Sequence, residues 1–195
     1  MHTINRFSLS DSISEVILVI SETMESYWTE LCLKHQFTNP IHIAFGGNTR
    51  FESVKNGIDY IYRNFDISPK DYIAVHDGAR PIISDQLIKK AFQGAYEHQA
   101  IVLAQKSIES IRMGDISTNK AVNRNETWMI QTPQVFHGKL LLKSYQQDED
   151  PLFTDDASVV EKMGKSIHII EGDSKNIKIT YPQDLQIAQL YLNFI

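Results

Sequence analysis

One cysteine, Cys32, stands among 195 residues, so an internal disulfide is impossible and every zinc or iron-sulfur site built on a cysteine cluster is excluded. Long apolar runs are missing as well: nothing approaches the about 18 residues of a membrane-crossing helix. The first residues carry neither the basic flank nor the apolar core of a secretory signal, and a cytoplasmic location is expected. Positive charge is scarce, with 19 Lys and Arg against 24 Asp and Glu and a net charge of -5. No basic tail offsets it, which argues against a protein that lives on nucleic-acid backbone. An anionic ligand must then be met by a local cluster of Arg and Lys. The seven histidines show no H-E-x-x-H or comparable ligand spacing, so no residue is assigned to a metal. The remaining composition, 42% hydrophobic and 22% charged, is that of an ordinary globular chain. Its length suits one domain, 1–195, whose core needs no covalent staple.

Apolar runs suited to buried strands occur at Glu15 to Ile20, Ile41 to Phe45, Tyr72 to Val75, Ala100 to Ala104, Ile167 to Ile170 and Ile177 to Thr180. Most are continuous rather than alternating, as for strands covered on both faces. Segments of helical period lie between them. One stripe is Met24, Tyr27, Trp28 and Leu31; a second is Phe51, Val54, Ile58, Ile61, Tyr62 and Phe65. Ser84 is a natural N-cap for a third helix with Leu87, Ile88, Ala91, Phe92 and Ala95 on its inner face. Thr180 and Gln183 have capping-box spacing ahead of the last apolar run, Leu185 to Leu192. The alternation of strand and helix predicts an α/β fold with a largely parallel sheet. Lys106 to Phe136 breaks the rhythm and is expected to form a projecting β-arm. An arm that buries little by itself would complete its packing on a second copy, so a homodimer is expected.

Four stretches could carry chemistry. The strand Tyr72 to Val75 runs into His76-Asp77-Gly78-Ala79-Arg80-Pro81. Ligands of open α/β sheets bind beyond the carboxyl ends of strands, where Asp77 and Arg80 would stand; the alternative is a turn in which the two only pair with each other. A second strand ends in Phe45-Gly46-Gly47-Asn48-Thr49-Arg50 and enters a helix. Backbone N–H groups there suit an anion or a nucleobase edge, or the glycines simply form a turn. This stretch is neither G-x-G-x-x-G nor a P-loop, which removes the support for a nicotinamide-dependent oxidoreductase. In and beyond the arm, Glu109-Ser110-Ile111-Arg112, Asn123-Arg124-Asn125 and Gln131-Thr132-Pro133-Gln134 could orient an oxygen-rich phosphorylated ligand, or be solvated surface. In Asn176-Ile177-Lys178-Ile179-Thr180, a lysine inside an apolar strand is costly unless it serves a ligand or a paired acid. Asp155 and Asp156 in Thr154-Asp155-Asp156-Ala157-Ser158 are read as a helix cap plus a dipole-complementing charge rather than a metal pair. His76 is read as a strand-end histidine with a satisfied hydrogen bond.

Taken in order, GGNTRFESVKNG, VHDGARP, ESIR, NRNETWMIQTPQVF, TDDASVVE and NIKITYPQDL resemble the 2-C-methyl-D-erythritol 4-phosphate cytidylyltransferase family, with the ribitol-5-phosphate cytidylyltransferases as near relatives. The resemblance implies a Rossmann-like domain with a dimerisation arm and a transfer of CMP from CTP to a polyol phosphate, releasing pyrophosphate. It implies that Gly47, Asn48 and Ser53 face the cytidine, although the family more often has Asp at the position of Asn48. It places Asp77, Arg80 and Thr132 on the polyol phosphate, with Ser110, where the family commonly has Thr, and Arg124 arriving from the opposite subunit. Lys178 would reach the α-phosphate as the catalytic residue, and Mg2+ would be bound mainly through the CTP phosphates.

The resemblance departs at the front. Complete family members begin with a strand and a Gly-rich loop carrying a catalytic Arg and a nearby Lys. Met1 to Phe7 match the helix after that region, so a piece of roughly 30 residues or more, the size of a strand plus crossover, is expected to be missing. Arg6 is no substitute, because it lies in the wrong segment. Two readings stand side by side: a cytidylyltransferase whose true start lies upstream, and a non-catalytic binding module that keeps the arm and the acceptor pocket.

Overall fold

The computed structural model describes residues 1–193. In chain order they form α1 (His2–Ser8), β1 (Ile17–Ile20), α2 (Glu25–Lys34), β2 (His42–Phe45), α3 (Arg50–Asn64), β3 (Tyr72–Val75), α4 (Asp85–His98) and β4 (Ala100–Lys106). There follow β5 (Arg112–Gly114), β6 (Asn119–Ala121), β7 (Trp128–His137), α5 (Gly138–Ser144), α6 (Asp156–Lys162), β8 (His168–Glu171) and α7 (Pro182–Leu192).

The main sheet has the order β3-β7-β4-β8. β4 and β8 pair in parallel, and β7 runs antiparallel to both β3 and β4. Three of the four strands therefore share one direction. β7 opposes them because it returns from the arm without a crossover helix, and a direct return must be antiparallel. β1 and β2 form a separate parallel pair.

Alternation along the strands divides the core in two. Ile101, Leu103 and Val135 pack with Ile88, Ala91 and Ala95 of α4 on one face. Ala100 and Phe136 pack with Leu141, Tyr145, Val159 and Val160 of α5 and α6 on the other, where Phe51 and Ile58 of α3 join them. Ser84 caps α4 as expected, its hydroxyl accepting from the Leu87 N–H. Thr49 does the same for α3 through the Glu52 N–H. Gly57 lets α3 approach β1 closely: a Cβ there would lie 2.9 Å from Val19 Cγ2.

Three expectations change. The projecting arm is shorter than 106–136, because Trp128 to Phe136 zip along β4 in the main sheet. What projects is the hairpin β5–β6, turned by Asp115, whose carboxylate accepts from the Ser117 and Thr118 N–H groups at 2.8 and 2.6 Å. Ile177 to Thr180 is not a ladder strand; it is an extended segment whose Ile179 N–H donates to the Ala79 carbonyl at 2.8 Å. The last helix is capped one residue later than expected, with Asp184 accepting from the Thr180 and Tyr181 N–H groups.

Candidate active site

Just beyond β3 the chain places a carboxylate between two cations. Asp77 Oδ2 lies 3.2 Å from Arg80 Nε and 3.2 Å from Lys178 Nζ. Burial works against this carboxylate, but Lys178 first and Arg80 second outweigh it and hold its pKa below the ordinary carboxylate value. Arg80 is 12% exposed and also donates from Nη1 to the Asn176 carbonyl at 2.9 Å, so it is pinned at two points. Lys178 is half exposed and held by Asp77 alone among the described residues. The proposed turn in which Asp77 and Arg80 only pair with each other is thus half right: they pair, and a lysine from about a hundred residues downstream joins them.

The backbone under this cluster is fixed by a relay. The Asp77 N–H donates to Thr132 Oγ1 at 3.0 Å, and that hydroxyl lies 3.1 Å from His76 Nδ1. The Arg80 carbonyl can only accept, so His76 Nε2 carries the hydrogen and donates to it at 3.1 Å, which leaves Nδ1 of the neutral ring to accept from the Thr132 hydroxyl. Burial pushes His76 down to about 4, so its ring is neutral at neutral pH, as this relay requires. Phe7 of α1 packs on the ring with centroids 4.6 Å apart. Asn176, fully buried, closes the other side by donating from Nδ2 to the Thr132 carbonyl at 2.9 Å.

A cleft of about 940 Å³ runs between β1 and β3, walled by both strands and reaching Ser53, Arg50 and Asp77 at one end. Ser53 and Asp77 thus border one space, with Arg80 and Lys178 behind Asp77. Gly47 and Asn48 sit on the exposed loop above it. Their N–H groups are already used: Gly47 donates to Ser53 Oγ at 3.1 Å and Asn48 to Glu52 Oε2 at 2.6 Å. Of the readings open for Gly46-Gly47-Asn48, an anion would here meet the Glu52 carboxylate already on the Asn48 N–H. The stretch offers a shaped rim against which a neutral base edge could lie.

Ser110 and Arg124 lie exposed at the base of the arm, and among the described residues no hydrogen bond or ion pair joins them to Asp77, Arg80 or Lys178. Arg124 instead donates to the Ile108 carbonyl at 3.1 Å. Sequence reasoning missed one buried group entirely. Asp155 caps α6, accepting from the Ser158 N–H, but Asp156 is not a surface dipole charge: it is fully buried against Arg50 and Tyr145. An arginine directly after a helix cap and a Tyr beside an acid-rich loop carry no signature that pairs them in advance.

An α/β sheet with a carboxylate-tethered pair of cations beyond a strand end is the class of arrangement that suits a protein handling phosphorylated ligands. Comparisons with known proteins narrow the class. Residues 1–194 match the family profile IspD, 2-C-methyl-D-erythritol 4-phosphate cytidylyltransferase. A protein of that name from Bacteroides thetaiotaomicron is 38% identical over 192 residues, covering 98% of this chain and 85% of the relative. One from Azobacteroides pseudotrichonymphae is 41% identical over 195 residues, covering 99% and 85%. The solved 4-diphosphocytidyl-2C-methyl-D-erythritol synthase of Anaerococcus prevotii superposes with a TM-score of 0.83 at 27% identity, over 98% of this chain and 84% of that one. This chain belongs to the 2-C-methyl-D-erythritol 4-phosphate cytidylyltransferase family of nucleotidyltransferases.

Proposed function

We propose that this chain transfers the cytidylyl group of CTP to 2-C-methyl-D-erythritol 4-phosphate and releases pyrophosphate. The observation that carries the reading is the Asp77–Arg80–Lys178 cluster, whose Asp77 borders the cleft, in a chain of this family. A phosphate oxygen of the acceptor attacks the α-phosphorus of CTP, and the bond from that phosphorus to the bridging oxygen of pyrophosphate breaks. The attacking oxygen is already ionised, so no general base and no covalent enzyme intermediate are needed. The protein's task is to hold two polyanions in line and offset their charge.

The number of tethers supports a division of roles. Arg80, tied at two points, is suited to fix the acceptor phosphate, with Asp77 and Thr132 beside it. Lys178, with one tether and half its side chain in solvent, is free to turn toward the α-phosphate. Gly47, Asn48 and Ser53 face the cytidine. Ser110 and Arg124 reach the acceptor from the arm of a second copy, making the working form a homodimer of single-domain subunits. Cytoplasmic location follows the family; no helix among the described residues is long and apolar enough to cross a membrane. Among the described residues no three His, Cys, Asp or Glu side chains gather as a metal group, and Asp77 and Asp156 are already committed to cations. These residues do not form a cage for Mg2+, which would enter on the CTP phosphates.

Incubation with CTP, Mg2+ and methylerythritol phosphate is expected to yield the CDP-polyol and pyrophosphate. A product formed with ribitol 5-phosphate instead would overturn the acceptor assignment, and binding without product would favour the non-catalytic module.

A further inference from the structure

The cleft end carries a fully buried carboxylate that the reaction does not use. Asp156, the first residue of α6, accepts from Arg50 Nη1 at 3.1 Å and Nη2 at 2.6 Å, and from the Tyr145 hydroxyl at 2.5 Å. Burial alone would weaken the Arg50 charge, but Asp156 reverses this and raises its pKa; burial and Asp156 together raise that of Tyr145. The base of this bracket does not float. Gln134 of β7 accepts from the Ala157 N–H at 2.8 Å and donates to Asp155 at 2.9 Å, two residues along the strand from Thr132.

Arg50 is the first helical residue after the Thr49 cap, and the loop before it is clasped onto the same turn. Ser53 Oγ donates to the Thr49 carbonyl at 2.8 Å and accepts from Gly47 N–H at 3.1 Å. Whatever fixes Arg50 therefore fixes Gly47, Asn48 and Ser53 as a unit. The Arg50 side chain remains 41% exposed and lines the cleft, so its guanidinium both anchors the turn and borders the ligand space.

We infer that Asp156 is a positioning residue for the nucleotide half of the site: through Arg50 it registers the Gly46–Ser53 loop against β7, the strand that carries Thr132. This rests on the reading of that loop as the cytidine side. It predicts a selective defect, because the Asp77 cluster is tied by its own contacts, none of which passes through Asp156.

The test is calorimetric titration of the full chain with CTP and, separately, with methylerythritol phosphate. Asp156→Asn is expected to weaken CTP binding about tenfold while acceptor affinity stays within about twofold. A second variant separates positioning from stability. Arg50→Met with Asp156→Leu and Tyr145→Phe replaces the half-buried arginine and both of its buried partners by apolar groups of similar size and leaves no hydroxyl unpaired, which commonly restores or raises stability. Its melting temperature is expected to recover toward that of the unchanged chain while CTP affinity stays low. Recovery of CTP affinity along with stability, or equal losses for both ligands, would overturn the inference. Unchanged CTP binding in Asp156→Asn would overturn it alone, whereas an unchanged chain that takes up no CTP overturns the nucleotide loop with it.

Discussion

The strand-end cluster and the arm are both rich in polar and cationic residues, yet they are built in opposite ways. Beside the local Asp77–Arg80 and His76–Arg80 contacts, the ties of the cluster span the sequence: Asp77 meets Thr132 and Lys178, Arg80 meets Asn176, and Asn176 meets Thr132. Among the described residues the arm is tied only to itself, through Arg112 and Asn119, Asp115 and Ser117, and Arg124 and Ile108. Apolar side chains there face solvent, with Ile108 80% and Met113 57% exposed. Long-range ties hold charges in place before a ligand arrives, which favours transition-state electrostatics. Local ties leave an element whose apolar surface has still to be covered. The first region is held in place within the chain; the second, on the proposed reading, is half of a site.

If the cluster is preorganised, its variants strike rate and the arm's strike binding. Lys178→Ala is expected to lower kcat by about 100-fold or more, with KM for the acceptor changed by less than about threefold, as for removal of a group that acts in the transition state. Steady-state kinetics over both substrates check this, and a pure KM effect would contradict the role given to Lys178.

Acidification strikes the cluster next. The folded pKa of His76 is pushed from 6.5 to about 4, so the unfolded chain takes up this proton first. Stability present above pH 6.5 is lost as pH falls through 6.5 to 4, by up to about 3 kcal/mol. Asp77 is held below its ordinary value and contributes a separate loss below pH 3.8. Denaturant melts from pH 7 to pH 4 should show the first loss, and His76→Asn should flatten it. An unaltered profile in that variant would mean that the Thr132–His76–Arg80 relay is not what locks the turn.

Arg124→Ala, on the arm side, is expected to raise KM for the acceptor about tenfold and to leave kcat nearly unchanged. A mixture with Lys178→Ala protein sharpens the division further. If the arm completes the other subunit's site, each mixed dimer retains one intact site that turns over with the unchanged acceptor KM, unlike the high-KM Arg124→Ala homodimer and the slow Lys178→Ala one. Absence of such turnover would place Arg124 on its own subunit's ligand.

Legibility in the sequence followed the same divide. Tyr72 to Val75 and Ala100 to Ala104 were readable as strands because both faces are covered and their residues are uniformly apolar. The α3 and α4 stripes and the Ser84 cap were equally plain. Trp128 to Phe136 was misplaced into the arm because its polar residues, Gln131, Thr132 and Gln134, are buried by hydrogen bonds rather than by apolar character. Ile177 to Thr180 has the composition of a strand, yet one backbone bond to Ala79 holds it where a ladder was expected. Asp77, Arg80 and Lys178 were singled out because a charge at the end of an apolar run is conspicuous. Asp156 was not, because an acid beside a helix cap looks the same in sequence whether its side chain points to water or to a buried arginine.

The smallest effect on the single chain should come from the arm's apolar residues, and it discriminates most clearly between the two kinds of region. Ile108→Asp and Met113→Asp replace side chains that touch little within the subunit, so monomer stability should shift by no more than about 0.5 kcal/mol. Association should nevertheless fail, since a charge set into a surface that a second copy covers must be desolvated without a partner. Sedimentation at micromolar concentration reads the dimer, and melts at dilution, where both proteins are monomeric, remove the contribution that association makes to apparent stability. A variant that stays dimeric would show that the arm's exposed apolar surface is not the contact. One that loses monomer stability outright would show that these side chains already pack within their own subunit, erasing the contrast between the cluster and the arm.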